Sequence, residues 1–433
     1  MKNLIQLNLF ALFLSFILQS SFAQDRDLQY YRYPDKRGIN TFETTKDSLV
    51  AFEGLKVIVG GSSSLQFQGL QNSNNADTVL NSNGDNVNEL RDLTSNFNLP
   101  TANLDLNVQL ARGLRSVLVV YLSSRHHHEA YVKGGYLQVD RLDFISQGLL
   151  DNVMDYMTLK IGHMENNFGD AHFRRSDNSM VIYNPFVENY ILDAFTTEVG
   201  AEVYYQNSGW LAMFGVTNGK LNQSVTDEGA TGVAVLGKLG YDKQLSDNLR
   251  LRLSGSIYHN SKAARIYLYS GDRAGSRYYS VMESMTSTAD NFTSGRWNPN
   301  FADQITAIMI NTFIKFHGFE IFGTYERPEG GDTKGSSETR AWDQFAIDGI
   351  YRFGRTEDFY VALRYNTASG KMLNSNPDPV TITRVVASAG WWLTDNVMTK
   401  FEYVNQTYND FPSSSIYSDG EFNGFIIEAG ISF

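Results

Sequence analysis

GFIIEAGISF, from Gly424 to Phe433, is the last stretch of the sequence, and the polarity of its residues alternates. Because successive side chains of a β-strand point to opposite faces, alternate residues of this stretch share a face. One face carries Phe425, Ile427, Ala429, Ile431 and Phe433, and the other carries Gly424, Ile426, Glu428, Gly430 and Ser432. The first face is apolar throughout, whereas the second holds a carboxylate. The pattern predicts a strand that lies between two different environments and ends in an aromatic residue.

The same alternation returns along the chain from about residue 55 onwards, for example at 104–110, 249–256 and 359–366. Short connections such as Arg112-Gly113 and Thr394-Asp395-Asn396 interleave with long polar ones. The predicted long loops are residues 68–97, 164–197, 260–303, 327–341, 368–380 and 409–421. Short turns on one rim and long loops on the other are typical of outer-membrane barrels, not of soluble sandwiches. The sequence therefore predicts an all-β transmembrane antiparallel β-barrel of about sixteen strands, with about eighteen as the alternative, short periplasmic turns and long extracellular loops.

The final strand also resembles the C-terminal β-signal of outer-membrane proteins. The residues that carry the resemblance are Phe425, Ile431 and Phe433. It implies that these residues form a barrel-assembly signal and that the chain is an integral protein of the outer membrane of a Gram-negative bacterium. The outer-membrane lipid would then contact the Phe433 face, and Glu428 would point into the lumen.

The beginning of the chain has the character of a targeting segment. Lys2 precedes an apolar stretch from Leu4 to Leu18, and Ser21-Phe22-Ala23 offers small residues for cleavage. These features predict a signal peptide over residues 1–23, an N-terminal tail over 24–54 and the barrel over 55–433. The tail is charged, rich in Tyr and not periodic. It is expected inside the lumen, along the periplasmic rim, docked to a periplasmic or outer-membrane protein, or as a mobile tail.

Composition narrows the classes of function. The chain has no cysteine, which excludes a lipid-anchored N-terminal Cys and a disulfide framework. Its formal net charge of −11 argues against a nucleic-acid partner. No motif of a hydrolase, metalloprotease, P-loop or EF-hand is present, so we expect no enzyme activity, no cofactor and no metal. The run His126-His127-His128-Glu129 lies in a predicted loop, where an adventitious surface cluster is the simpler interpretation.

The third long loop, from Met164 to Gly200, is the leading candidate for a pore constriction. In sixteen-stranded porins this loop folds inward and narrows the channel. The candidates on it are Asp170, His172, Arg174, Arg175 and Asp177. Fixed charges at a narrow point select ions by sign. The alternative is that these charges pair with one another against the barrel wall.

Several cations are predicted to face the lumen because they alternate with apolar residues on their strands. They are Lys160, Arg250, Arg252, Arg352, Arg364, Arg384 and Lys400. A polar lumen face is expected of any water-filled barrel, so the simpler interpretation is a solvated interior.

The segments from Met157 to Ser179 and from Val199 to Gly219 resemble the phosphate-selective porin O and P family. The matching positions are Gly162, Phe168-Gly169, Gly200 and Phe214-Gly215-Val216. The resemblance implies a sixteen-stranded porin barrel, often a homotrimer. Family members that take up phosphate carry a ladder of lumen arginines and a cluster of cations on the inward loop. Here the inward loop offers only Arg174 and Arg175 and holds more acids than bases.

These observations lead to two hypotheses. The first is a porin, a passive channel for small hydrophilic solutes or ions, without a chemical step. The second is a non-conducting barrel that is a subunit of a larger outer-membrane assembly, bound to a partner through residues 24–54.

Overall fold

A computed structural model describes residues 28–46, 50–98, 101–123, 130–221, 225, 232–271, 277, 279–373 and 378–433. Within them, sixteen strands form one closed antiparallel sheet in which each strand pairs with the next. The predicted signal peptide and the run His126–Glu129 lie outside the described residues. The closed barrel confirms the predicted fold class, and the sixteen strands decide against the alternative of eighteen.

The strands are β1 (Lys56–Ser73), β2 (Thr101–Ala111), β3 (Leu114–Ser123), β4 (Tyr131–Val139), β5 (Met157–Glu165), β6 (Thr197–Asn207), β7 (Trp210–Thr217), β8 (Ala234–Ser246), β9 (Leu249–Asn260), β10 (Ile305–Phe316), β11 (Phe319–Gly331), β12 (Thr339–Phe353), β13 (Phe359–Gly370), β14 (Val380–Thr394), β15 (Val397–Asn409) and β16 (Glu421–Ser432). A two-residue strand, Asn96–Phe97, also pairs with β1. The helices are short: α1 (Asp151–Met154) and three 3₁₀ turns, Lys36–Gly38, Ala171–Phe173 and Ala289–Asn291. Among the described residues, no helix is long and apolar enough to cross a membrane.

The last strand closes the barrel on the first. β16 pairs with β1 from Ser62 opposite Ser432 to Ser73 opposite Glu421. Beyond it, the Phe433 N–H donates to the Gly61 carbonyl at 3.0 Å, and the Gly61 N–H donates to the Phe433 carbonyl at 2.9 Å. Closure matters because, in lipid, an open sheet edge would leave peptide groups without hydrogen-bond partners.

The two faces of the sheet differ as the alternation of β16 indicates. The Phe433 side chain is 62% exposed on the outer wall, whereas Glu428 is fully buried on the lumen side. At the rim with the short turns, aromatic rings of neighbouring strands stack on the outer wall. Successive ring centroids lie 4.4 to 5.9 Å apart along Phe319, Tyr351, Phe353, Phe359 and Trp391. Such an aromatic girdle is typical of the edge of the membrane.

Two details differ from the prediction. The loops predicted over 68–97, 327–341 and 368–380 are shorter, because β1 continues to Ser73, β11 to Gly331 and β13 to Gly370, while β12 starts at Thr339 and β14 at Val380. One face of these ends is still buried, as at Arg340 and Trp342, but their sequences hold charged residues, Pro and Gly, so they lack the apolar alternation of the rest of the strand. In addition, the connection over residues 140–156 is long, although it lies at the short-turn rim, and it contains α1.

Part of the lumen is filled by the protein itself. We call residues 28–46 the plug, residues 166–196 loop 3 and the described part of 261–304 loop 5. Loop 3 contributes Phe186, Val187 and Ile191, none of which is exposed. Together with apolar side chains of the wall, they form the main hydrophobic cluster. The core of this protein therefore lies inside the barrel.

The plug crosses the lumen at the short-turn end. On one side, the Lys36 ammonium contacts the Asp358 carboxylate at 2.6 Å, and the Lys36 N–H donates to the Asp395 carbonyl at 2.9 Å. On the other side, the Lys46 ammonium donates to the Thr158 hydroxyl at 3.2 Å. Asp358 and Asp395 adjoin β13 to β15 and Thr158 lies on β5, so the middle of the plug and its C-terminal end contact opposite sides of the barrel.

Candidate functional site

Lys400 and Glu402 on β15 hold the backbone of loop 3. The Lys400 ammonium donates to the carbonyls of Val181, Asn184 and Phe186 at 2.9, 3.0 and 2.7 Å. It also pairs with Glu428 at 2.8 Å. The Glu402 carboxylate accepts hydrogen bonds from the N–H groups of Val187 and Glu188. The charged side chains of β15 that face the lumen thus form hydrogen bonds with buried backbone groups of loop 3. Without these bonds the backbone groups would be unpaired, which is costly in free energy.

Three arginines of the same wall are also paired. Arg364 forms a bidentate pair with Asp348, at 2.7 and 2.8 Å. The Arg352 guanidinium donates to Glu320 at 2.7 Å. Arg384 donates to the Gly295 carbonyl of loop 5 at 2.9 Å. All three arginines face the lumen, yet each has relative exposure of 5% or less. We call this side of the lumen, bounded by β9 to β16, the packed half.

The constriction candidates of loop 3 divide into two groups. Asp170, Arg174 and Arg175 are buried in ion pairs. Asp170 pairs with Arg252 and with Lys238, Arg174 lies 3.5 Å from Glu320, and Arg175 forms a bidentate pair with Asp193. His172 and Asp177 line a cavity, as does Arg175. His172 contacts Glu165 at 2.7 Å, and Asp177 pairs with Lys133.

The plug docks onto the same buried charges. Glu43 contacts Lys238 at 2.7 Å and Arg252 at 2.6 Å. Burial alone would raise the pKa of the Glu43 carboxyl, but the Arg252 and Lys238 cations beside it lower that pKa to about 2. Asp170, between the same two cations, likewise has a lowered pKa despite its burial. Plug, loop 3 and wall thus share one cluster of two cations and two carboxylates.

Aromatic packing fixes the plug beside this cluster. The Phe42 ring lies among Phe173, Phe313 and Phe322, at centroid distances of 5.8, 5.4 and 6.5 Å. Arg250, predicted to face the lumen, pairs with Asp242 at 2.7 Å and donates to the Asn40 carbonyl at 3.0 Å.

The opposite side of the lumen is not filled. A cavity of about 350 Å³ lies between the plug, loop 3 and the strands β2 to β6; we call this side the hollow half. Its lining includes Thr158 near the short-turn end of β5 and Glu165 at the loop end of the same strand. Lys160 of β5 lies between them. Its ammonium faces the rings of Tyr136 and Tyr204 at 5.8 and 4.9 Å.

Sequence reasoning missed several of these residues. Lys238 and Arg115 are not among the predicted site residues, although both side chains are buried inside the barrel. Arg115 is flanked on its strand by apolar residues on both faces, so alternation does not single it out. Glu43 lies in the non-periodic tail, where no pattern indicates an orientation. Among the described residues, no group of His, Asp and Glu is arranged to hold a metal ion.

Known structures share the architecture at low sequence identity. The outer membrane channel DcaP of Acinetobacter baumannii has a TM-score of 0.53 and 13% identity, with 88% of this chain and 99% of that chain covered. OmpF of Salmonella typhi, in complex with daunomycin, has a TM-score of 0.51 and 12% identity, with 89% and 100% covered. A loop L8 deletion mutant of OmpT, an outer membrane protein of Vibrio cholerae, has a TM-score of 0.52 and 13% identity, with 88% and 100% covered. No family model and no curated protein matches the sequence.

At these identities the likeness establishes the fold. The chain has the sixteen-stranded barrel of outer-membrane porins and channels, with an apolar outer wall suited to lipid. The comparison with these structures does not confirm the finer resemblance to the phosphate-selective porin O and P family.

Proposed function

We propose that this protein is an outer-membrane porin, a passive channel for small hydrophilic solutes or ions, and that its path runs through the hollow half. The observation that carries the proposal is the extent of the cavity. Its lining reaches from Thr158 to Glu165 along β5. At about 3.3 Å per residue, this is about 23 Å along the strand. With the tilt of about 40° that barrel strands have, it corresponds to about 18 Å along the membrane normal, more than half of the thickness of a bilayer's hydrocarbon core.

The lining suits water and small polar solutes. Asn103, Asn107, Gln138 and Gln206 present amides, and charged groups of both signs lie among them. Because the plug and loop 3 occupy the rest of the lumen, we expect a narrow path and a small conductance. Polar groups along such a path replace part of the hydration shell of a passing solute.

Planar-bilayer recording of the purified full-length protein tests this function. We expect discrete conductance steps, and we expect Gly134→Trp to reduce them strongly, because Gly134 lines the cavity and an added Cβ would meet its nearest atom, the His163 carbonyl oxygen, at an ordinary contact distance of 3.5 Å. Gly349→Trp is the matched control. Gly349 has open space for a side chain, but it lies on the exposed outer wall and should leave the conductance unchanged.

A barrel that is folded, as shown by its heat-modifiable mobility in gels, yet never conducts would contradict the proposal. The second hypothesis, a subunit of a larger assembly, would then gain weight. Residues 28–46 lie inside the barrel and contact its wall, so they are not presented to a periplasmic partner. Loss of a co-purifying protein after deletion of this segment would nevertheless support the assembly.

We do not extend the proposal to phosphate, which the family resemblance implies. Arg252, Arg352 and Arg364 are each paired with carboxylates, so they do not form a ladder of available cations. A homotrimer stays a prediction of the resemblance, and native mass spectrometry of the protein released from detergent measures it.

A further inference from the structure

Arg115, on β3, is a buried cation whose hydrogen bonds are incomplete. It is 7% exposed and lines the cavity. Its Nη2 donates to the Gln138 side-chain oxygen at 2.8 Å and lies 3.5 Å from the Tyr30 carbonyl. Among the described residues, its Nε and Nη1 have no acceptor. These two nitrogens carry three N–H bonds, and a buried charged donor without a partner is costly. An acceptor within the cavity would satisfy them.

A second cation lies in the same row of the wall. Arg115 is directly opposite Gln138 on β4, and Gln138 is directly opposite Lys160 on β5. Opposed Cβ atoms are about 5 Å apart, so the Cβ atoms of Arg115 and Lys160 are about 10 Å apart. Among the described residues, no carboxylate lies within ion-pair distance of Lys160. A neutral amide therefore separates two cations that face one cavity.

The acids of the lining do not cancel this positive charge. Glu43, Glu165 and Asp177 are each paired with a cation or with His172. Asp105 also lines the cavity, and within the described part of the chain it forms no ion pair. Glu202, directly opposite Lys160 on β6, is not part of the lining and accepts hydrogen bonds from the Asn167 N–H and the Tyr204 hydroxyl. Among the described residues that line the cavity, one unpaired acid thus stands against Arg115 and Lys160, and this balance favours an anion.

Two aromatic residues also line the cavity. Tyr136 lies on β4, two residues from Gln138, and Tyr31 lies on the plug. Both are half-buried, so part of each ring is accessible from the cavity. Flat aromatic faces favour a planar apolar body, which stacks on them or meets them edge to face.

We propose that the cavity binds a small aromatic carboxylate. The carboxylate accepts hydrogen bonds from Arg115, Lys160 adds attraction from the same row, and the ring of the solute lies between Tyr31 and Tyr136. The assignment names a solute class for the proposed channel and in that sense rests on the channel function.

Isothermal titration of the full-length protein in detergent, at constant ionic strength, tests the site with benzoate as the probe. We expect saturable binding of benzoate and at least tenfold weaker binding of acetate, which lacks the ring, of benzyl alcohol, which lacks the charge, and of inorganic phosphate. Arg115→Gln should weaken benzoate binding at least tenfold, and Lys160→Gln several-fold. Arg112→Gln removes the same charge outside the cavity and should leave the affinity unchanged.

The heat-modifiable gel mobility of each variant establishes that it is folded. If Arg115→Gln does not fold, Arg115→Lys keeps the charge with fewer donors, and it should bind benzoate with intermediate affinity. Benzoate affinity equal to wild type in a folded Arg115 variant, or acetate or phosphate binding as tightly as benzoate, would overturn the assignment. Conductance without benzoate binding overturns the assignment and leaves the porin function standing. Benzoate binding without conductance overturns the porin function instead.

Discussion

The packed half and the hollow half of the lumen are built from the same kinds of side chain, but these side chains have different partners. In the packed half, Lys400 lies among three carbonyls of loop 3 and one carboxylate. In the hollow half, Lys160 faces two tyrosine rings and the cavity. A lysine that alternates into the lumen can thus either stabilise an inserted loop or line a path. The difference depends on what the rest of the chain places in front of it.

Deletion of the plug should change the difference between the packed half and the hollow half more than any other variant. Deletion of residues 28–46 removes the segment that crosses the short-turn end, so the hollow half should widen and single-channel conductance should rise several-fold. Planar-bilayer recording measures the effect. Arg37→Gln is the control, because this half-exposed plug residue pairs with Asp35 in the plug itself and should not change the conductance. An unchanged conductance after the deletion would mean that the plug does not limit the path.

The two lysines allow a matched comparison of stability. Lys400→Met should destabilise the barrel by about 3 kcal/mol, because breaking a buried pair leaves charged and polar groups without their partner. Thermal unfolding in detergent, followed by the loss of the heat-modifiable gel form, measures the change.

Lys160→Met is the control in the same assay. This lysine is partly exposed to the cavity and has no carboxylate partner among the described residues, so the change in stability should stay within about 0.5 kcal/mol. Equal losses for the two variants would mean that the packed and hollow halves do not differ as their contacts indicate.

Acid should loosen the plug through Glu43. The pKa of this carboxyl is lowered from 4.5 to about 2, so its contribution to docking is present above about pH 4.5 and is lost as the pH falls towards 2. We expect conductance to rise across this interval. Glu43→Gln should remove much of that rise, although Asp170 in the same cluster also has a lowered pKa and contributes to it. A rise that begins well above pH 5 would point to another group.

Prediction from the sequence succeeded where a residue's environment repeats locally. The apolar face of β16 is the exposed one, and the side chains of Arg364, Arg384 and Lys400 are buried inside the barrel. Prediction failed at strand ends such as Arg327 to Gly331, where one face is still buried but the sequence holds charged residues, Pro and Gly instead of alternating apolar ones. The residues that pair with the lumen charges could not be predicted from the sequence either. Lys400 contacts Val181 and Phe186, which are more than two hundred positions away in the chain.

The sequence by itself determined a closed barrel of about sixteen strands, its lipid and lumen faces, and the place of both ends of the barrel at the short-turn rim. These features follow from a period of two residues and from connection lengths, which are local properties. Only the tertiary structure decided that the lumen is half filled, that Lys400 holds loop 3 while Lys160 faces a cavity, and that Glu43 docks the plug. Those outcomes depend on contacts between distant segments, because a polar side chain on the lumen face is equally compatible with water, a carbonyl or a carboxylate.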